Sequence, residues 1–161
     1  MDELLLDSSY LFPVFGVALE YRNFESIFSM LPEKYLVKYN PVSLIEAKWY
    51  VLRESKKKDS DDDDDDEKDS LLQRYRKGLL SLQRDQRIES TPLTNEQIEE
   101  ISDSLRFVIR DYFDRLIYST AAYLSCTMLT EDGALHELFR KADNSDLPKP
   151  KQMIKWKNLS P

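Results

Sequence analysis

Two periods of hydrophobic and polar positions alternate along this chain. Residues 3–7 (ELLLD) form a short continuous apolar run that closes on an acid before Ser8-Ser9, the pattern of a buried parallel strand with a polar end. Residues 17–31 carry apolar side chains at helical spacing and stop before Pro32, which predicts a helix. Residues 35–39 (YLVKY) are rich in β-formers and end at Asn40-Pro41, a second strand. Ser43 then reads as an N-cap with Glu46 in capping-box position, opening a helix with Leu44, Ala47 and Val51 on one face. A basic helix interrupted by Gly78 follows over 71–87, then a weak third strand over 88–93. Thr94, with Gln97, caps the next helix over 95–112, and another begins at Asp114. Residues 126–130 (CTMLT) predict a fourth strand, 134–141 a helix of about two turns, and 153–157 an edge strand.

Strands that alternate with helices imply an α/β fold: a three-layer α/β/α sandwich with a mostly parallel central sheet. The chain has 161 residues, 41% of them hydrophobic, which suits a single domain over residues 1–158. No apolar run is long enough to span a membrane, and residues 1–7 lack the basic, longer apolar pattern of a secretory signal. The one cysteine, Cys126, cannot form an internal disulfide and reads as a small core hydrophobe, in keeping with a reducing, cytoplasmic setting. The one histidine, His136, argues against His-based zinc sites or catalysis.

A net charge of −7 would ordinarily argue against a nucleic-acid partner, but its distribution reverses that. Residues 59–69 (DSDDDDDDEKD) hold nine of the 30 acids and one lysine. Outside that run, 21 acids face 22 bases. The run reads as a solvated, disordered acidic insertion at about 55–70, and it lacks the glycine-turned spacing of a calcium loop.

In open parallel sheets ligands sit outside the carboxyl ends of the strands, which directs attention to four acids. Asp7 and Asp132 follow strands one and four; Glu46 and Asp114 lie at helix starts on the same expected rim. Each also has a plain structural role: a turn residue, a capping-box partner, a helix-start charge and a turn pair with Gly133. Clustered without bases, four carboxylates would repel and raise one another's pKa, a cost that a divalent cation removes. An all-oxygen donor set favours Mg²⁺ or Mn²⁺.

The wording around these acids resembles the PIN-domain family of metal-dependent nucleases, which includes the VapC toxins. The resemblance is carried in order by LLLDSSYLFP (4–13), NPVSLIEAKW (40–49), DRLIYSTAAYLSCTMLTED (114–132) and the GALHEL that follows. It implies that Asp7, Glu46, Asp114 and Asp132 are the catalytic, metal-binding acids, with Ser8 and Thr130 as polar neighbours. It further implies Mg²⁺- or Mn²⁺-dependent hydrolysis of RNA, leaving a 5′-phosphate and a 3′-hydroxyl, either as the toxin of a toxin–antitoxin pair or in RNA processing. An antitoxin protein partner and a homodimer are implied with it. The acidic run and the 71–87 helix enlarge the middle beyond a minimal toxin, and Tyr118 stands where the family has a small residue, expected to crowd the mouth.

Two other readings stay open beside it. One is a PIN-like module that binds RNA or protein without turnover. The other is a phosphotransfer α/β domain, disfavoured because Asp7-Ser8-Ser9 lacks the required Asp-x-Asp and the chain's three glycines form no phosphate loop. For an RNA-binding rim the candidates are Lys48, Arg110, Arg115 and Lys155, with Arg74, Arg76 and Lys77 on the basic helix, although each taken singly reads more readily as a solvated helix charge.

Overall fold

A computed structural model of the chain describes residues 1–19, 21–57 and 65–159, with the backbone alone for residues 57 and 65–69. Five strands form one sheet: β1 (Asp2–Leu6), β2 (Tyr35–Tyr39), β3 (Ile88–Ser90), β4 (Thr127–Leu129) and β5 (Gln152–Ile154). Their order is β3-β2-β1-β4-β5, and every pairing is parallel. Six helices connect them: α1 (Phe24–Lys34), α2 (Val42–Lys57), α3 (Asp65–Arg84), α4 (Glu96–Ser104), α5 (Tyr112–Tyr123) and α6 (Gly133–Ala142). Single turns of 3₁₀ helix occupy Ser8–Tyr10, Phe12–Phe15 and Trp156–Asn158.

The three layers follow from the period-2 alternation of strand side chains. Leu4, Leu5 and Leu6 are all fully buried, yet Leu4 and Leu6 join one core and Leu5 the other. The first core gathers Val37, Tyr39 and Leu129 from the sheet with α1, α2 and α3; the second gathers Met128 and Met153 with α4, α5 and α6. A strand covered on both faces must be apolar at every position, which is why β1 reads as a continuous run. Cys126 lies in the second core immediately before β4, where burial pushes its thiol up to about 11. No described helix is long and apolar enough to cross a membrane.

Several element boundaries differ from the sequence pattern, each for a local reason. α1 starts at Phe24, not at residue 17, because residues 12–16 turn through 3₁₀ and the left-handed Gly16. Pro32 lies inside its last turn without ending it. α2 is opened by Asn40, whose Oδ1 accepts from Val42 N at 2.9 Å, so Ser43 is free to turn inward. Asn95 replaces Thr94 as the cap of α4, accepting from Ile98 N at 2.8 Å, and that helix ends at Ser104, not at residue 112. α5 is capped by Asp111 and begins at Tyr112, ahead of the expected Asp114.

Only the two flanks of the acidic insertion expected at about 55–70 are among the described residues. α2 continues to Lys57 and α3 already begins at Asp65, so residues 65–69 have helical backbone. Acids at a helix N-terminus are favoured by its macrodipole. Residues 58–64, the rest of the run, lie outside the described residues.

Gly78 does not break α3; it lets the helix approach another backbone. A Cβ at this position would stand 2.2 Å from the Val14 carbonyl oxygen. Phe15, fully buried, and Tyr75 pack at this crossing with ring centroids 5.0 Å apart. Helix propensity alone favours Gly78→Ala by ~1 kcal/mol, whereas overpacking of this kind costs roughly 1–3 kcal/mol. Gly78→Ala is therefore expected to lower the melting temperature measured by circular dichroism, and a rise would show that the crossing can relax.

Candidate metal centre at the carboxyl rim

The chain order switches direction beside β1: β2 and β3 lie to one side of it, β4 and β5 to the other. The crevice between β1 and β4 is the topological switch point at which such sheets bind ligands. Backbone pairing runs one residue past the strands here, with Asp7 N donating to Leu129 O at 3.0 Å and Thr130 N to Ile154 O at 3.1 Å. Asp7 and Thr130 are thereby fixed side by side.

Asp7 caps the 3₁₀ turn Ser8–Tyr10, its Oδ1 accepting from Ser8 N at 2.7 Å. Its Oδ2 accepts from Thr130 Oγ1 at 2.5 Å, and the same Oγ1 accepts from Asp132 N at 3.1 Å. Thr130 is fully buried and thus joins the two strand-end acids through one hydroxyl. Burial raises the Asp7 carboxyl above the ordinary range; the Thr130 and Ser8 hydrogen bonds oppose this, and Asp132 adds to it. Asp132 caps α6, its Oδ1 accepting from Ala134 N and Leu135 N at 2.6 and 3.1 Å.

Across the crevice, Ser8 Oγ donates to Glu46 Oε2 and lies 2.9 Å from Ser43 Oγ. Ser8 thus carries β1 to the first turn of α2. Burial raises the Glu46 carboxyl, against the Ser8 hydrogen bond, and the charges of Asp7 and Asp111 raise it further. Asp114, one turn into α5, is the most perturbed. Burial and the surrounding Asp7, Asp111, Glu46 and Asp132 push its carboxyl up to about 7. Among the described residues, no Lys or Arg forms a salt bridge with any of these five acids.

The charges of Asp7, Glu46 and Asp132 thus all reach Asp114, whose recess Asp132 also lines. Ser8 and Thr130 hold Glu46 and Asp7 individually. Among the described residues, no group of three or more His, Cys, Asp or Glu is gathered as a metal cage. The donor chemistry of the four acids, all carboxylate oxygens, nonetheless suits a hard divalent cation, and among the described residues no Lys or Arg forms a salt bridge with them. Lone pairs remain on each carboxylate beyond the bonds described.

Of the expected RNA-binding residues, Arg110 shares with the acids a recess of about 140 Å³ that Asp111, Asp114 and Asp132 also line. Lys48 Nζ lies over the Tyr75 ring of α3, 4.7 Å from its centroid. Arg115 is spent inside the fold, donating to Ser102 Oγ at 3.0 Å and Ile109 O at 2.9 Å. Tyr118 does not crowd the mouth: it is fully buried in the second core. His136 ties α6 to the site loop, its Nε2 2.9 Å from Thr130 O.

Two positions beside the rim escaped the sequence pattern. Asp111 became visible only when the start of α5 moved back to Tyr112; the Asp-x-x-Asp spacing of 111 and 114 was its one available signal. Glu131 accepts from Tyr10 OH at 2.9 Å and Trp156 N at 2.6 Å through the same Oε1. It moors the loop after β4 to a stack of Tyr10, Tyr21 and Trp156, with centroids 5.0–5.5 Å apart.

The Asp114 shift has a sign that can be checked. Its proton is bound more tightly in the folded chain than in the unfolded one, so it makes the metal-free protein less stable as pH rises from about 4 to about 7. Asp114→Asn is expected to raise the melting temperature in EDTA at pH 8 more than at pH 5, by roughly 2–4 °C per kcal/mol of relieved repulsion. An equal effect at both pH values would place Asp114 outside the acid cluster.

No protein-family model matches the chain, and no curated protein matches it. Among solved structures it is similar to a chain of the crystal structure of VapBC2 from Rickettsia felis bound to a DNA fragment from their promoter. The match has a TM-score of 0.60 at 14% sequence identity and covers 95% of this chain and 98% of that one. At that identity the likeness is one of fold. The α/β/α architecture with a mostly parallel central sheet expected from the sequence is the architecture of this chain, with every described strand pairing parallel.

Proposed function

We propose that this protein is a divalent-metal-dependent ribonuclease whose centre is formed by Asp7, Glu46, Asp114 and Asp132. What supports this reading is that Asp7, Glu46, Asp114 and Asp132, spread from residue 7 to residue 132, stand at strand ends and helix starts of a parallel sheet, and that among the described residues no Lys or Arg forms a salt bridge with them. A structural explanation accounts for each acid alone, but not for the cost of placing them together. The PIN-like fold and the ordered motifs support the same reading.

Mg²⁺ or Mn²⁺ bound there would polarise a phosphodiester oxygen and lower the pKa of a water. The chain's own residues do the positioning. Asp7 is aimed by Thr130 and by Ser8 N, and Glu46 by Ser8. Asp114, near pH 7 in its titration, is the acid from which a bound cation must displace a proton. Arg110 stands at the recess to receive a phosphate. By the same reading, as the family resemblance implies, an antitoxin protein would cover the rim.

The test is cleavage of single-stranded RNA by the purified chain with Mn²⁺, set against Asp7→Asn, Asp114→Asn and EDTA. Cleavage by the wild type, lost in all three comparisons, is the expected result. Equal cleavage by the variants would identify a contaminant, and none by any of them would leave a binding module. A second measurement bears on positioning: Thr130→Val is expected to weaken Mn²⁺ binding about 10–100-fold, read by calorimetry, because it removes the hydroxyl that aims Asp7.

A further inference from the structure

On α2, Glu46, Trp49, Tyr50 and Arg53 recur at i, i+3, i+4 and i+7 and so share one face. They line a cleft of about 650 Å³ together with Phe12, Asp111, Tyr112 and Phe113. That size lies within the ordinary range for ligand sites, roughly 300–1,000 Å³. Trp49 is 61% exposed and Tyr112 43% exposed. Trp49 is held against Phe113 with centroids 5.2 Å apart, which fixes its ring without covering it. Phe12 and Tyr50 form a second pair at 5.3 Å.

The two ends of the cleft carry opposite charge. Glu46 lies at one end, and Asp111 joins the cleft to the recess that holds Asp114 and Asp132. At the other end the Arg53 guanidinium lies over the Tyr50 ring, 5.1 Å from its centroid. Glu46 and Arg53 are seven residues apart, about 10 Å along the helix.

We propose that this cleft seats an unpaired nucleobase of single-stranded RNA next to the acid rim, with Trp49 as its stacking surface and Arg53 as the contact for a flanking phosphate. The inference rests on the ribonuclease reading above and adds to it a base subsite. A nucleobase meets every part of the cleft: a π-face for the indole, N–H donors at its edge for the carboxylates, and a phosphate for the guanidinium. An apolar peptide anchor would fill the rings and leave both charged ends without partners. Duplex RNA cannot supply the base, since its bases are stacked and paired.

The experiment compares Trp49→Ala with its parent, both in the Asp114→Asn background with Mg²⁺ so that strand scission does not interfere. Fluorescence anisotropy follows a labelled single-stranded RNA, an abasic oligomer with the same ribose-phosphate backbone, and a duplex RNA. Trp49→Ala is expected to weaken the single strand about 5–100-fold and to leave the abasic oligomer and the duplex unchanged. Trp49→Tyr should restore most of the affinity, and equal melting temperatures show that the exposed ring does not support the fold. Unchanged single-strand affinity, or an equal loss for the abasic oligomer, overturns the base subsite. Wild-type cleavage measured in parallel separates the two ideas. Cleavage with Trp49-independent binding removes only the subsite, and Trp49-dependent binding without cleavage removes only the hydrolase.

Discussion

The Thr130 hydroxyl gives its proton to Asp7 and takes the Asp132 amide proton, and through those two bonds it joins the ends of β1 and β4. Everything proposed for the rim depends on that joint being made in a buried place. A threonine in solution would exchange such bonds for water at little net cost. Buried, an unpaired carboxylate is far more costly than an exposed one, so the bond both lowers the penalty on Asp7 and fixes its direction. Ser8 does the same for Glu46 on the far side of the crevice. The rim is thus a set of acids aimed by hydroxyls, with the repulsion among them left standing and concentrated on Asp114.

That repulsion is tolerated because the layers beneath are well tied. Asn40, fully buried, donates to Leu93 O at 3.1 Å and Thr120 Oγ1 at 2.9 Å while capping α2, so one amide links the end of β2, the loop after β3 and α5. On the other flank Glu131 binds the loop after β4 to the aromatic stack of Tyr10, Tyr21 and Trp156, and Trp156 Nε1 donates to Arg22 O at 2.9 Å. Strain at a functional rim of this kind is expected to be offset elsewhere in the fold. The aromatic cleft on α2 then extends the rim outward, on a helix face that packing leaves exposed.

Much of the fold was legible in residue order. ELLLD and CTMLT announced buried strands, YLVKY matched β2 residue for residue, and the alternation of strands with helices required a parallel sheet. The positions of the four acids were legible too: Asp7 and Asp132 follow β1 and β4, and Glu46 and Asp114 lie near the starts of α2 and α5. The misreadings were local. Thr94 and Asn95 are both good caps, and only packing selects Asn95. Gly78 reads as a helix breaker until the Val14 carbonyl appears beside it. Arg115 reads as a rim charge until Ser102 and Ile109 take its donors.

The sequence by itself determined the fold class, the strand positions and the residue types available for chemistry, because burial periodicity and chain order are one-dimensional properties. Only the tertiary structure decided which groups are aimed, paired or exposed. Whether Trp49 packs or opens to solvent, whether Lys48 faces the acids or Tyr75, and whether Asp114 titrates near 4 or near 7 all depend on neighbours brought in from distant segments. Charge and dispersion act through space at distances of a few ångströms, and no spacing along the chain fixes those distances.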